Sequence, residues 1–132
     1  MDVSSIYRVD NNVYIGDVLG KLYVYTIDKA ELREVDAYKG SKGIQAILQD
    51  FSNNLWIGTE GDGLYLLNPQ TGSMEHYLHS SKQGSISSNY IRSLALDSNG
   101  KLWVGTFNDL NIYNESSDTL RLIPAILSIR RA

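Results

Sequence analysis

Cysteine is absent from the sequence. That removes a disulfide scaffold, a thiolate zinc site and a cysteine nucleophile together, while leaving the compartment open. Basic residues are in short supply. Twelve Lys and Arg stand against fifteen Asp and Glu, a formal net charge of −3. Neither nucleic acid nor direct contact with an anionic membrane surface is expected of such a balance, since both need basic patches. No apolar run approaches the ~20 residues of a membrane helix. The first ten residues, MDVSSIYRVD, have neither a basic n-region nor an apolar h-region, so no secretory signal is read there. A convincing helical stripe is missing too. The nearest candidate is Ala30–Tyr38, AELREVDAY, whose charges suit a helix. It stands where a fourth strand is expected and is read as a strand.

What the chain does have is tyrosine and glycine, nine and eleven of them, against two prolines. Tyrosine and β-branched residues favour strands, and glycine punctuates them. Hydrophobic residues make up 42% and charged residues 20%, ordinary values for one globular domain of 132 residues.

An internal repeat decides the fold class. Ile44-Gln-Ala-Ile-Leu-Gln-Asp50 leads through FSNN to Leu55-Trp-Ile-Gly-Thr59. Ile91-Arg-Ser-Leu-Ala-Leu-Asp97 leads through SNGK to Leu102-Trp-Val-Gly-Thr106. Asp50, Trp56 and Gly58 all recur 47 residues on, as Asp97, Trp103 and Gly105. A degenerate copy lies upstream, Ile6–Asp10 leading to Val13-Tyr-Ile-Gly-Asp17, with Gly16 standing 42 residues before Gly58. Periods of about 40–50 residues with a Trp-containing strand mark propeller blades. Each period divides into four strand-like pieces: about 4–9, 12–17, 21–26 and 31–37; then 44–49, 54–59, 63–67 and 73–78; then 90–96, 101–106, 109–114 and 119–123. Asn99-Gly100 and Gly61-Asp-Gly63 supply turn signals between them. The expectation is an all-β, partial β-propeller. It has about three four-stranded antiparallel blades, at roughly 4–38, 44–78 and 90–123.

The repeated residues read as architecture. Asp50 and Asp97 open the first hairpin of their blades, where a carboxylate accepts backbone N–H groups of the turn. Trp56 and Trp103 fill the space between neighbouring blades, each ring burying ~150–250 Å². Gly58 and Gly105 mark close backbone approach or a bulge inside a strand. Thr59 and Thr106 end those strands, with a hydroxyl able to bond a neighbouring turn.

This pattern, I-x-x-(I/L)-x-x-D, a short turn, then L-W-(I/V)-G-T, resembles the two-component regulator propeller repeat. So does G-D-G-L-Y-L-L-N-P-Q-T-G after the middle copy, and Ser85–Ile91 is similar to its inter-blade connector. The resemblance covers roughly residues 4 to 123. The first copy departs from it at Tyr14, at Asp17 and in a turn two residues shorter; the last lacks a glycine before Leu110. The resemblance implies a sensor region outside the inner membrane, periplasmic in its parent, belonging to a hybrid two-component regulator. There tandem propellers precede a membrane span, a histidine kinase and a regulator. Any kinase activity would lie outside this chain, which carries no phospho-acceptor histidine on a helix and no nucleotide-binding glycine motif.

Each residue able to do chemistry also has a structural reading. His76 and His79 stand three apart on a strand and point to opposite faces, so they cannot pinch one metal. Asp50–Asn54 and Asp97–Gly100 faintly resemble calcium loops but lack a distal glutamate and suit turn capping. No metal site and no cofactor is expected. Glu60 and Asp62 form a carboxylate pair whose counterparts in the last copy are Phe107 and Asp109, so no acid–base pair recurs and no catalytic residue is expected. Tyr23, Tyr25 and Tyr65 fall in third strands. The mouth of a propeller is formed by the loops joining second to third strands, here 17–20, 60–63 and 107–109, together with the connectors 39–43 and 79–89. On that mouth Glu60, Asp62, Asn89, Tyr90, Phe107 and Asn108 are the candidate ligand contacts, Tyr90 foremost.

Three blades leave two apolar faces uncovered. The expected partners are the remaining blades of a parent propeller, or a second copy of the chain. The apolar stretch Ala125–Ile129 reads as the start of a further blade or a tail. Two functions follow: a sensor segment helping to bind an extracellular ligand, with an oligosaccharide favoured, or a structural module that scaffolds or dimerises.

Overall fold

The computed structural model describes residues 1–123; the stretch expected to begin a further blade, 124–132, lies outside them. The described residues form twelve strands and no helix. Blade 1 holds β1 (Val3–Val9), β2 (Asn12–Asp17), β3 (Leu22–Thr26) and β4 (Glu31–Glu34). Blade 2 holds β5 (Ile44–Gln49), β6 (Leu55–Thr59), β7 (Leu64–Leu67) and β8 (Met74–Tyr77). Blade 3 holds β9 (Ile91–Leu96), β10 (Leu102–Thr106), β11 (Asp109–Asn114) and β12 (Thr119–Leu122). Each blade is a four-stranded antiparallel meander in chain order, and the fold is that of a β-propeller.

Turn chemistry sets the hairpins. Asp50 Oδ1 accepts the N–H groups of Ser52 and Asn54 at 2.9 and 3.0 Å, and Asp97 Oδ1 those of Asn99 and Lys101 at 2.9 and 3.0 Å. The Asn68 carboxamide closes the β7–β8 turn the same way, and Gly72 completes it at φ 78°. In blade 3 the glycine expected after β10 is missing, and Asp109 itself takes the left-handed conformation, φ 91°. The segment Ala30–Tyr38 is strand only over Glu31–Glu34. Beyond it Tyr38 N–H bonds back to Val35 O at 3.1 Å, and Val35 and Tyr38 turn inward to be buried between blades 1 and 2. Burying those two apolar side chains outweighs the extra ladder bonds of a longer edge strand.

Register gives each blade two distinct faces. On the front face, toward the following blade, stand Tyr14 and Gly16, then Trp56 and Gly58, then Trp103 and Gly105. On the rear face stand Val13 and Ile15, then Leu55 and Ile57, then Leu102 and Val104. Front meets rear twice. Tyr14, Leu22 and Val24 pack on Ile47, Leu55, Ile57, Tyr65 and Leu67. Trp56, Leu64 and the connector's Ile86 pack on Leu102, Val104 and Leu120. The middle blade is therefore covered on both sides, and all five residues of β6 are buried. Trp56 fills an inter-blade space, 2% exposed and 4.9 Å from the Tyr113 ring. Trp103 faces away from blade 2 and is only partly buried, because no blade among the described residues lies beyond it.

The strand glycines are sites of close approach. A Cβ on Gly16 would overlap Ile44 Cγ2, and one on Gly58 would overlap Ile91 Cγ2. In both cases a glycine in one blade's second strand makes room for the isoleucine that opens the next blade's first strand. No side chain larger than hydrogen fits without displacing a blade.

Candidate functional site

The mouth is built from three repeated parts. The first is a β-bulge: in each blade the pairing of first and second strands slips by one residue, between Val3 and Ser5, between Ile44 and Ala46, and between Ile91 and Ser93. Bulges re-aim the extra side chain. Here those side chains are Ser4, Gln45 and Arg92. Ser4 Oγ donates to Ile44 O at 2.6 Å, across to the next blade. Gln45 Nε2 donates to the Glu60 carboxylate. The Arg92 guanidinium lies 5.6 Å from the centroid of the Phe107 ring, a cation–π pair. In blades 2 and 3 the bulge residue thus meets the residue just after the second strand.

The second part is the strand-ending hydroxyl. Thr59 Oγ1 donates to Gly63 O at 2.7 Å and accepts Asp62 N–H at 3.0 Å. Thr106 Oγ1 donates to Asp109 O at 2.9 Å and accepts Asn108 N–H at 3.0 Å. In blade 1 the buried Asp17 carboxylate replaces the hydroxyl, accepting Leu19 and Lys21 N–H at 3.0 and 2.9 Å. The turn survives the substitution because what it needs is an acceptor.

The third part is the residue that precedes each first strand. Its carbonyl takes the N–H following the second strand: Asp2 O from Val18 at 3.0 Å, Gly43 O from Glu60 at 2.9 Å, Tyr90 O from Phe107 at 2.8 Å. Consecutive mouths are stapled together as well, since Asn89 O accepts Gly61 and Gly63 N–H at 3.2 and 2.9 Å.

The expected contacts divide accordingly. Glu60, Tyr90 and Phe107 are brought together. Glu60 bridges to Tyr90, whose ring lies against Gly61 and is 49% exposed, and Phe107 is 71% exposed beside it. Asn108 is exposed at the same turn. Asp62 is drawn elsewhere. It accepts the Tyr65 hydroxyl, and its carbonyl and carboxylate lie 2.6 and 3.7 Å from His76 Nε2, with the His76 ring stacked 4.0 Å from Tyr65. Burial first, then the Asp62 bond, pushes the Tyr65 phenol well above the ordinary tyrosine range. Asn89 also has a structural task, its Oδ1 accepting His79 N–H at 2.7 Å. The two histidines go to separate partners, His79 Nδ1 donating to Ile86 O at 2.8 Å. Among the described residues no three His, Asp or Glu side chains are grouped to hold a metal ion.

Sequence reasoning missed Gln45 and Arg92. The first-strand bulge that aims them leaves no mark in composition or periodicity. It also missed the Trp N–H bonds: Trp56 Nε1 donates to Asp50 Oδ2 at 2.9 Å, and Trp103 Nε1 to Asp97 Oδ2 at 3.0 Å. The shared six-residue spacing of Asp and Trp could have shown them. A cavity of about 670 Å³ between the 79–87 connector and β11–β12 was not foreseen either. The buried Asn111 on its wall accepts Ser87 N–H at 2.9 Å, and its Nδ2 lacks a partner.

Comparison with known proteins fits this arrangement. Residues 39–61 and 85–108 match the family model described as two component regulator propeller. None of the curated proteins compared matches the chain. Among solved structures, the chain is similar to an extracellular domain of B. thetaiotaomicron, BT4673, described as that of a hybrid two component system. Identity is 30%, with a TM-score of 0.69 over 92% of this chain and 16% of that one. A second such extracellular domain, BT3049 of the same organism, shares the fold at 21% identity and a TM-score of 0.78, covering 91% and 16%. The fold is shared too with PorZ of Porphyromonas gingivalis, described as a bacterial surface component of the type-IX secretion system. There identity is 24% and the TM-score 0.65, covering 82% and 17%. The chain thus spans about a sixth of the length of these three structures. All three blades are β-propeller blades, and two of them, through residues 39–61 and 85–108, match the two component regulator propeller repeat.

Proposed function

We propose that the chain is a segment of a sensor propeller in a hybrid two-component regulator. It would stand on the periplasmic side and contribute part of the surface that recognises an extracellular ligand, an oligosaccharide. One observation carries this reading: Tyr90 and Phe107 hold large rings out to solvent at the mouth, on either side of a single backbone hydrogen bond. Exposed aromatic rings on a rigid scaffold, next to groups able to hydrogen-bond, suit the alternating apolar and hydroxyl faces of sugars. Glu60, Gln45 and Arg92 supply those polar groups. The kinship with an extracellular domain described as part of a hybrid two component system supports the location.

The test is isothermal titration of the complete parent propeller against a panel of neutral and acidic oligosaccharides. Saturable binding that Tyr90→Ala and Phe107→Ala each weaken supports the reading. Binding to none of the sugars, or binding indifferent to both substitutions, removes it. A second reading, a scaffold that binds no small ligand, is favoured by the structural bonds that Asp62 and Asn89 make at the mouth, and it predicts the negative result.

A further inference from the structure

We infer that the cavity between the 79–87 connector and the rear face of blade 3 is a binding site for a small organic carboxylate. The register shows how the cavity arises. Tyr65 pairs with Ile57 and His76 in blade 2, and Asn111 pairs with Val104 and Leu122 in blade 3. Asn111 and Leu122 therefore stand where blade 2 has Tyr65 and His76. In blade 2 those two rings stack at 4.0 Å, and Tyr38, from the preceding connector, meets Tyr65 edge to face at 5.3 Å. Blade 3 has no ring at either position. About 670 Å³ stays open there, within the ~300–1,000 Å³ of small-molecule sites.

The walls are fixed, and their chemistry is one-sided. Ser87 N–H donates to Asn111 Oδ1, Leu120 N–H to Gly84 O and Ser85 Oγ to Ser80 O, each at 2.9 Å, so the connector is pinned to blade 3 and to itself. With its Oδ1 committed to Ser87, Asn111 is 1% exposed and its Nδ2 has no acceptor. A buried amide donor left unmet calls for an oxygen from the cavity that its residue lines. Lys82 and Arg121 line the same cavity, and neither forms an ion pair among the described residues. No Asp or Glu lines it. Amide donor and unpaired cations, with no carboxylate of the protein beside them, select an anion. Ile86, Leu120 and Leu122 add an apolar floor that favours an organic anion over an inorganic one. None of Glu60, Tyr90 and Phe107 lines this cavity, so it stands or falls apart from the ligand of the mouth.

Isothermal titration of the complete parent propeller with glucuronate, benzoate, inorganic phosphate and glucose is the test. At least one of the two carboxylates should bind saturably, with phosphate and glucose weaker by about tenfold or more. Lys82→Gln and Arg121→Gln, both at exposed positions, should each weaken the carboxylate by about tenfold, the scale of one charge-assisted hydrogen bond. Asn111→Asp keeps an acceptor for Ser87 N–H and turns the unmet donor into a second acceptor, so it should weaken binding by about tenfold or more with the melting temperature little changed. The pair Asn111→Tyr and Leu122→His installs the blade 2 rings and should abolish binding by filling the space. Tyr90→Ala and Phe107→Ala should leave carboxylate affinity as it was, which separates this site from the mouth. Binding of neither carboxylate overturns the inference. So does phosphate or glucose bound as tightly as the carboxylates, or carboxylate binding indifferent to Lys82→Gln and Arg121→Gln. Should Asn111→Asp fail to fold, those two surface variants still decide the matter.

Discussion

The indole N–H of Trp56 donates to the same Asp50 carboxylate whose other oxygen closes the β5–β6 turn. One side chain thus fixes both the hairpin and the rotamer of the ring that fills the seam to blade 3. Asp50→Ala should cost about 1.5–3 kcal/mol, the range for hydrogen bonds to a charged acceptor. Trp56→Ala should cost about 3–5 kcal/mol, as expected for a large buried ring. Trp103→Ala should cost visibly less, because that ring is only partly covered. Urea unfolding of the three variants checks the order, which would fail if Trp103→Ala proved the most damaging.

Gly58 faces a different demand. Gly58→Ala places a methyl group where Ile91 Cγ2 already stands, and overpacking of this kind costs about 1–3 kcal/mol. Ile91→Ala alone should also destabilise, by opening a cavity. The double substitution should recover part of the sum, and a double-mutant cycle measures the coupling. Strict additivity would mean that Gly58 is needed for its backbone and not for the space.

Acid should weaken the blade 3 hairpin through Asp97. The Trp103 N–H bond, then the Lys101 and Asn99 backbone N–H groups, hold this carboxyl below its ordinary value. A group with a lowered folded pKa stabilises above its unfolded pKa and loses that contribution as pH falls through the folded one. Denaturation midpoints should therefore drop below about pH 4, the ordinary range of an aspartate. Asp97→Asn should flatten that part of the profile.

At the alkaline end the sign reverses. Burial first, then bonds to Asp118, push the Tyr77 phenol far above its usual range and the Tyr113 phenol up to about 12. Both hydroxyls donate to Asp118 Oδ1 at 2.6 Å, tying the outer strand of blade 2 to the last hairpin of blade 3. Stability from a raised pKa is complete below the unfolded value and lost as pH rises through the folded one. Unfolding should set in above about pH 10, and the Tyr77→Phe, Tyr113→Phe double variant should lose that dependence.

At the mouth, Asp62→Asn should lower stability by about 1 kcal/mol, through its Tyr65 and His76 partners, and leave ligand affinity unchanged. Phe107→Ala should do the opposite, weakening ligand binding by about 10-fold with little change in melting temperature. Titration and thermal unfolding of the same two variants in the parent propeller separate the roles.

Much of the fold was legible because the repeat is literal. Asp50 and Asp97, Trp56 and Trp103, and Gly58 and Gly105 hold one spacing, and turn residues bracket nearly every strand. Where reading stopped, non-local packing had taken over. Ala30–Tyr38 could not be bounded from its own residues, because Val35 and Tyr38 leave the strand for a seam made by blade 2. The site was legible only in part. Tyr90 and Phe107 showed as aromatics at loop positions, whereas Asp62 looked free until Tyr65 and His76 were seen to hold it. Gln45 and Arg92 sit in ordinary-looking strands and reach the mouth only because a bulge turns them.

The glycine notches have one more consequence, for motion. Blades 2 and 3 each open with an isoleucine set into the sheet before it, so neither can unfold without uncovering its neighbour. Amide hydrogen exchange should then be slowest in Leu55–Thr59, where every residue is buried. Blades 1 and 3 should exchange faster, each having a single neighbouring blade among the described residues. The sequence repeat counts three similar units, but their lifetimes will be unequal, set by position in the row and not by the strength of the motif.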